Sequence, residues 1–300
     1  MPWWNQLLLS AYYHAGLPRR SWRNYAAGRA GAAPVVVLFY HRVADTSPTP
    51  WSISNQLFAR QMDWLSRRFE MVSLAEAQRR IRGGVNRRIC VSITFDDGYA
   101  VNCRGAIPLL LKRRIPCTYF VTLRNALEAA PFRHDIAAGY HFPPNTIDQL
   151  REMAAAGIEI GAHGRNHVDM GGIDDPRELY DEIVTAGRDL ADAVGAPVRY
   201  FAFPYGLHDN LRGQAFQMAQ EAGYDGVCSA YGGYNFPGDD PFHIQRAHGD
   251  PQMIRLKNWV TVDPRKVRST LRFQYTRYVR TEEAKYQPPT PDMDAMTRKP

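Results

Sequence analysis

Short apolar, β-rich runs alternate with helical patterns through most of this 300-residue chain, and that alternation limits the folds open to it. Val35–Phe39 is continuously apolar, as a parallel strand buried on both faces requires. Further strands are predicted at Val91–Phe95, Cys117–Val121, Ile158–Ile160, Val198–Phe203 and Tyr224–Ser229. Between them, Leu57, Phe58, Met62 and Leu65 recur at helical spacing. Ser73-Leu74-Ala75-Glu76 is a capping-box pattern, and Gly83 and Gly84 close its helix. Ala106–Arg113 reads as helical, and a second capping box, Thr146 to Gln149, opens a helix that ends at Gly157. Leu179, Ile183, Ala186, Leu190 and Val194 form one stripe of a long amphipathic helix. Phe216–Ala222 is helical and Gly223 stops it. Strands separated by helices make parallel βα units, and about seven of them predict an irregular (β/α) barrel, with an open doubly wound sheet as the alternative.

Around this main domain (residues 34–275), residues 1–33 read as an N-terminal segment whose end, 26–34, is a small-residue linker. Residues 276–300, with Pro288, Pro289, Pro291 and Pro300, read as a mobile tail.

Four strand ends carry candidate chemistry. Val91–Phe95 stops at Asp96-Asp97-Gly98, where two adjacent carboxylates need a cation, a hydrogen-bond network or a shared proton to offset their repulsion. A solvated Asp-Gly turn also fits that stretch. Ile158–Ile160 is followed by His163-Gly164-Arg165-Asn166-His167, whose two histidines, four apart, are expected on one side of a helical turn. Structural histidines explain most such pairs, but in a barrel this strand end meets the one bearing Asp97. Two histidines and a carboxylate with open positions describe a catalytic zinc site. The third strand end is Phe203-Pro204-Tyr205-Gly206, which is either a plain turn or one that aims a backbone N–H at an oxyanion. A lone histidine, His41, closes the first strand.

Together, Thr94-Phe95-Asp96-Asp97-Gly98, His163-Gly164-Arg165-Asn166-His167, Arg199–Gly206 and the opening Leu38–Val43 resemble the polysaccharide deacetylase family. That family is carbohydrate esterase family 4, the NodB homology domain, and the likeness is to the branch with its histidine motif at the N-terminal side. The resemblance spans roughly residues 35–250 and implies an irregular (β/α)7 barrel and a metal-dependent N-deacetylase of glycan amino sugars. It implies Asp97, His163 and His167 as metal ligands, with Zn2+ the default and Co2+, Ni2+ or Mn2+ also admissible. It further implies Asp96 as general base, the Tyr205 backbone N–H as oxyanion donor and His41 as general acid. A catalytic metal lowers the pKa of water from about 15.7 to about 7, within reach of a carboxylate acting as the transition state forms. The chain departs from the family at Ala202, where many members have an arginine that pairs with the base. Arg246 is a candidate replacement, and His248 is the rival to His41. An amidase acting on a non-sugar amide or cyclic imide, or an inactive glycan-binding protein, is the alternative.

The net charge of +7 comes from arginine clusters at 19–29, 79–88 and 265–280. No RNA-binding or zinc-finger pattern accompanies them, so they read as solvated faces, and nucleic acid is not an expected partner. Four cysteines without a CxxC pair point to a reducing compartment such as the cytoplasm. No apolar run approaches the length of a membrane span, and the first residues make a poor signal peptide. Trp, Leu and Tyr followed by arginines fit a packed helix or peripheral association with the inner membrane face.

Overall fold

The computed structural model describes residues 3–249, 251–269 and 272–276; residues 277–300 of the expected tail lie outside the described residues. Its strands are β1 (Val35–Tyr40), β2 (Arg42–Val43), β3 (Ser52–Ile53), β4 (Glu70–Met71), β5 (Cys90–Phe95), β6 (Cys117–Val121), β7 (Glu159–Ala162), β8 (Tyr200–Ala202), β9 (Gly226–Cys228), β10 (His243–Ile244) and β11 (Ala247–His248). The main sheet runs β10-β9-β8-β7-β6-β5-β1-β11, with β4 also paired to β5. Every strand pair in it is parallel. Its two outer strands, β10 and β11, are separated only by Gln245 and Arg246, so the sheet curls until its edges meet at those residues. The result is the irregular (β/α)7-type barrel predicted from sequence, and the open doubly wound sheet does not occur.

The alternation of strand side chains builds two layers of core. Val35 and Val37 of β1 join Cys90, Phe120, Tyr200, Ala202, Cys228 and Ile244, together with Leu74, Ala77 and Ile81 of the helix Leu74–Arg82. Val36, Leu38 and Tyr40 face the other way, into the larger cluster that holds Phe58, Met62, Leu65, Leu179, Ile183 and Leu190 from the surrounding helices. The stripes expected for those helices are therefore the surfaces that cover the sheet.

Local signals act as sequence chemistry dictates. Thr146 Oγ1 accepts from the Gln149 N–H at 3.2 Å while Gln149 Oε1 accepts from the Thr146 N–H at 3.2 Å, completing the capping box. Ser73 caps its helix at the Glu76 N–H, but Glu76 turns away to pair with Arg79 and Arg80. Three expectations need correction. The helix Trp3–Arg29 extends through Ala26–Arg29, the start of the stretch read as linker, because its last turns pack on the barrel. The long helix after residue 176 is interrupted by a π-turn at Asp181–Thr185. The strands near residues 158, 198 and 224 start one or two residues later than read.

Candidate active site

The C-terminal ends of β1, β5, β7, β8 and β11 bring His41, Asp96, Asp97, His163, Tyr205 and His248 to one end of the barrel. Strand pairing sets this placement: the Asp96 N–H donates to the Tyr40 carbonyl at 2.8 Å, and the His163 N–H donates to the Val121 carbonyl at 2.9 Å.

Asp97, His163 and His167 form a compact donor set, all ligand atoms lying within 4.8 Å of one another. His163 Nδ1 lies 2.8 Å from the carbonyl of Ala202. A carbonyl only accepts, so Nδ1 carries a proton and the ring turns its Nε2 inward, the nitrogen that a metal would take. That Nε2 sits 3.3 Å from Asp97 Oδ1, and His167 Nε2 sits 3.1 Å from the same oxygen. Asp97 Oδ1 is buried and accepts no well-directed hydrogen bond. Lone pairs facing a buried carboxylate oxygen repel unless a proton or a cation lies between them, so the donor set fits a divalent metal. Burial pushes Asp97 up, but the charge of His41 and the closeness of His163 and His167 hold it well below the carboxylate range. Burial pushes His167 down, yet its closeness to the Asp97 carboxylate leaves it raised.

The two histidines do not lie on a helical turn, contrary to the spacing argument. Residues 163–167 are a loop. Gly164 at φ +78° and His167 at φ +54° bend it until both rings reach Asp97. A side chain at Gly164 would also meet Glu182 Oε2 at 3.0 Å. Glu182, buried on the π-turn, accepts from the Arg165 N–H (2.8 Å), the Asn166 N–H (3.0 Å) and Asn166 Nδ2 (2.6 Å). Sequence reasoning missed Glu182; its signal was a carboxylate beside the apolar stripe of Leu179 and Ile183.

Asp96 stands next to this set but is held differently. Arg246 Nη1 and Nη2 donate to its two oxygens at 2.6 and 2.9 Å, Nη1 also reaches Thr94 Oγ1 at 3.1 Å, and Nε donates to the Ser229 carbonyl at 3.0 Å. Arg246 is fully buried, between the rings of Phe39 and Phe120. Burial lowers it, but the Asp96 charge keeps it raised. The arginine missing at Ala202 is thus replaced by one from the seam between β10 and β11.

His41 and His248 face each other with ring centroids 6.1 Å apart, and the exposed Trp51 ring lies against both. His41 Nδ1 is buried without a partner. Burial lowers His41, and the charges of Asp97 and Asp96 offset part of that. His248 is pushed down to about 4 by burial and by His41 and Arg255. On the other side, the exposed Tyr205 ring lies 5.0 Å from that of His167. Asp97, His167 and Tyr205 all have positive φ (73°, 54° and 59°). Such left-handed non-glycine residues store strain of about 1–3 kcal/mol each, and three together mark a site whose geometry is imposed by its surroundings.

Comparison with known proteins converges on one family. Residues 83–227 match the family model for polysaccharide deacetylase. YxkH of Bacillus subtilis (strain 168), named for a polysaccharide deacetylase, is 24% identical over 194 residues, covering 64% of this chain and 63% of that protein. The match therefore spans less than two thirds of that relative. The structure of IcaB from Ammonifex degensii is similar with a TM-score of 0.62 and 26% identity, covering 76% of this chain and 97% of that one. The Streptococcus pyogenes deacetylase PplD in complex with acetate shares the fold, with a TM-score of 0.62 at 19% identity over 75% of this chain and 96% of that one.

Proposed function

From the polysaccharide deacetylase domain that this chain carries over residues 83–227, we propose that it is a metal-dependent hydrolase that removes N-acetyl groups from the amino sugars of a polysaccharide or oligosaccharide. The observation that carries the reading is the pair Asp96 and Asp97: adjacent in sequence, one facing two histidine nitrogens and the other clamped by Arg246. Asp97, His163 and His167 would hold the metal, with Zn2+ the first choice and Co2+, Ni2+ or Mn2+ admissible. When bound, that ion supplies a Lewis acid for the acetamide carbonyl and for water.

The remaining roles belong to the chain. Asp96 takes the proton of the attacking water; Arg246 holds both of its oxygens in place, as a general base requires. The backbone N–H of Tyr205, which donates to no described group, stabilises the oxyanion. His41 protonates the departing amine from the side opposite His167. Burial lowers both histidines; at His41 the charges of Asp97 and Asp96 offset part of that, whereas His248 is pushed down to about 4, so His41 is the better placed of the two for the role. Trp51 and Tyr205 flank the site with exposed rings suited to the apolar faces of sugar units. Four free cysteines suit a reducing compartment, so cytoplasmic residence is part of the reading.

Acetate release from chitooligosaccharide, poly-N-acetylglucosamine and peptidoglycan fragments tests it. Turnover of at least one N-acetylated glycan is expected; turnover restricted to small non-sugar amides or imides would replace the substrate class, and no turnover of any amide would leave a binding protein.

A further inference from the structure

The helix Trp3–Arg29 turns most of its large apolar side chains away from the domain it packs on. Its barrel-facing side is polar. Tyr12 donates to Asp263 at 2.8 Å, Arg20 donates to the Asn258 carbonyl and Thr261 Oγ1, and Asn24 donates to the Thr261 carbonyl. Arg20 is buried there against the rings of Tyr12 and Tyr13. Gly28 lies so close to the barrel that a side chain would meet the Arg87 carbonyl at 2.4 Å.

The opposite side is apolar and uncovered. Trp4, Leu7, Leu8, Ala11, Ala15, Pro18, Trp22 and Tyr25 recur at steps of three or four residues, with Leu8 beside Leu7, so they fall on one face. All eight are exposed, the large ones strongly: Trp4 51%, Leu7 60%, Leu8 62%, Trp22 69% and Tyr25 67%, with Trp3 at 74% beside them. Folded soluble proteins rarely leave an apolar stripe of roughly 30 Å, the rise from Trp4 to Tyr25 along this helix, in water. No described helix is long and apolar enough to cross a membrane, so the stripe is not a span.

We propose that this helix lies flat on an anionic phospholipid surface, its Trp/Leu face in the headgroup–acyl boundary. Charge complementarity selects that occupant over a second copy of this cationic chain. Arg19 and Arg29 are exposed on the helix, and Arg67, Arg68, Arg87, Arg88 and Lys257 line the cleft between its C-terminal half and the barrel. Among the described residues, Glu70 is the only carboxylate lining that cleft, and it is paired with Arg80. Tryptophans and tyrosine at both ends of an apolar face, with arginines at headgroup level, match an interfacial helix.

The test uses the full chain and phospholipid vesicles, with no reliance on turnover. Sedimentation with vesicles of phosphatidylcholine and phosphatidylglycerol should pull the protein down, with weaker binding to pure phosphatidylcholine and loss at high salt. Leu8→Glu and Trp22→Glu, both at exposed positions, should each lower vesicle binding by more than about tenfold and leave the melting temperature unchanged. The proposal is overturned if the wild type ignores anionic vesicles at low salt, or if either variant binds as the wild type does. It is equally overturned if the chain sediments as a dimer in solution that these substitutions dissociate.

Discussion

Arg246 grips both carboxylate oxygens of Asp96, at 2.6 and 2.9 Å, from 150 residues away in the chain. The grip is made inside the barrel seam, where both groups are buried. Removing one member of a buried pair strands the other, at a cost of about 3–5 kcal/mol. Arg246→Ala should therefore lower the melting temperature sharply and abolish acetate release. Arg246→Lys restores the charge without the two-pronged grip, and should recover stability in part while activity stays low. Thermal denaturation alongside initial rates separates the two effects.

The donor set of Asp97, His163 and His167 should hold one ion per chain. Dialysis against a chelator is expected to abolish acetate release and added Zn2+ or Co2+ to restore it. His163→Ala and His167→Ala should each bring the metal content measured by elemental analysis close to zero, with the fold intact by circular dichroism.

Glu182 acts on the same centre at one remove, through three hydrogen bonds to Arg165 and Asn166. Glu182→Gln keeps the size but loses an acceptor for backbone N–H groups, so the loop between His163 and His167 loosens. Metal affinity should fall about 10–100-fold, as is common for residues that orient ligands. Metal titration reads this directly, and excess metal should restore most of the rate.

His41→Ala should lower kcat by about 10²–10⁴, the usual contribution of a general acid, whereas His248→Ala should cost less than about tenfold. The reverse order would exchange their roles.

Acid should destabilise the protein through His243. Buried against Phe216 and within 2.9 Å of Ser229 Oγ, it is pushed down to about 4 by burial. Between about pH 6.5 and 4 the unfolded chain binds a proton that the folded chain refuses, so stability rises with pH in that window and is lost on acidification. A drop of 2.5 pKa units corresponds to about 3 kcal/mol at most. His243→Gln should flatten the melting temperature between pH 4.5 and 6.5 relative to the wild type.

Much of this was legible in the sequence, for physical reasons. Buried parallel strands must be short and apolar, and their C-terminal ends must carry the polar residues, so Asp96, Asp97, His163 and Tyr205 announced themselves by position. The partners that hold them were less legible: Arg246 was no more than a candidate, and Glu182 was missed. Arg246 reaches Asp96 only because the sheet closes on itself, and Glu182 reaches the histidine loop only because a π-turn rotates it inward. His163 and His167 share spacing with a helical pair, but Gly164 gives the chain a sharper bend than a helix allows. The N-terminal segment was readable as either a packed helix or one at a membrane face, while which side met the barrel was decided by hydrogen bonds to Asn258, Thr261 and Asp263.

The account rests on a division of labour between two adjacent aspartates, and Asp96→Asn tests it most directly. With metal content and acetate release measured on the same zinc-loaded preparations, the variant should keep its metal and lose acetate release from an N-acetylated glycan by at least about 100-fold. Undiminished acetate release by the metal-loaded variant would contradict the assignment of Asp96 as the base.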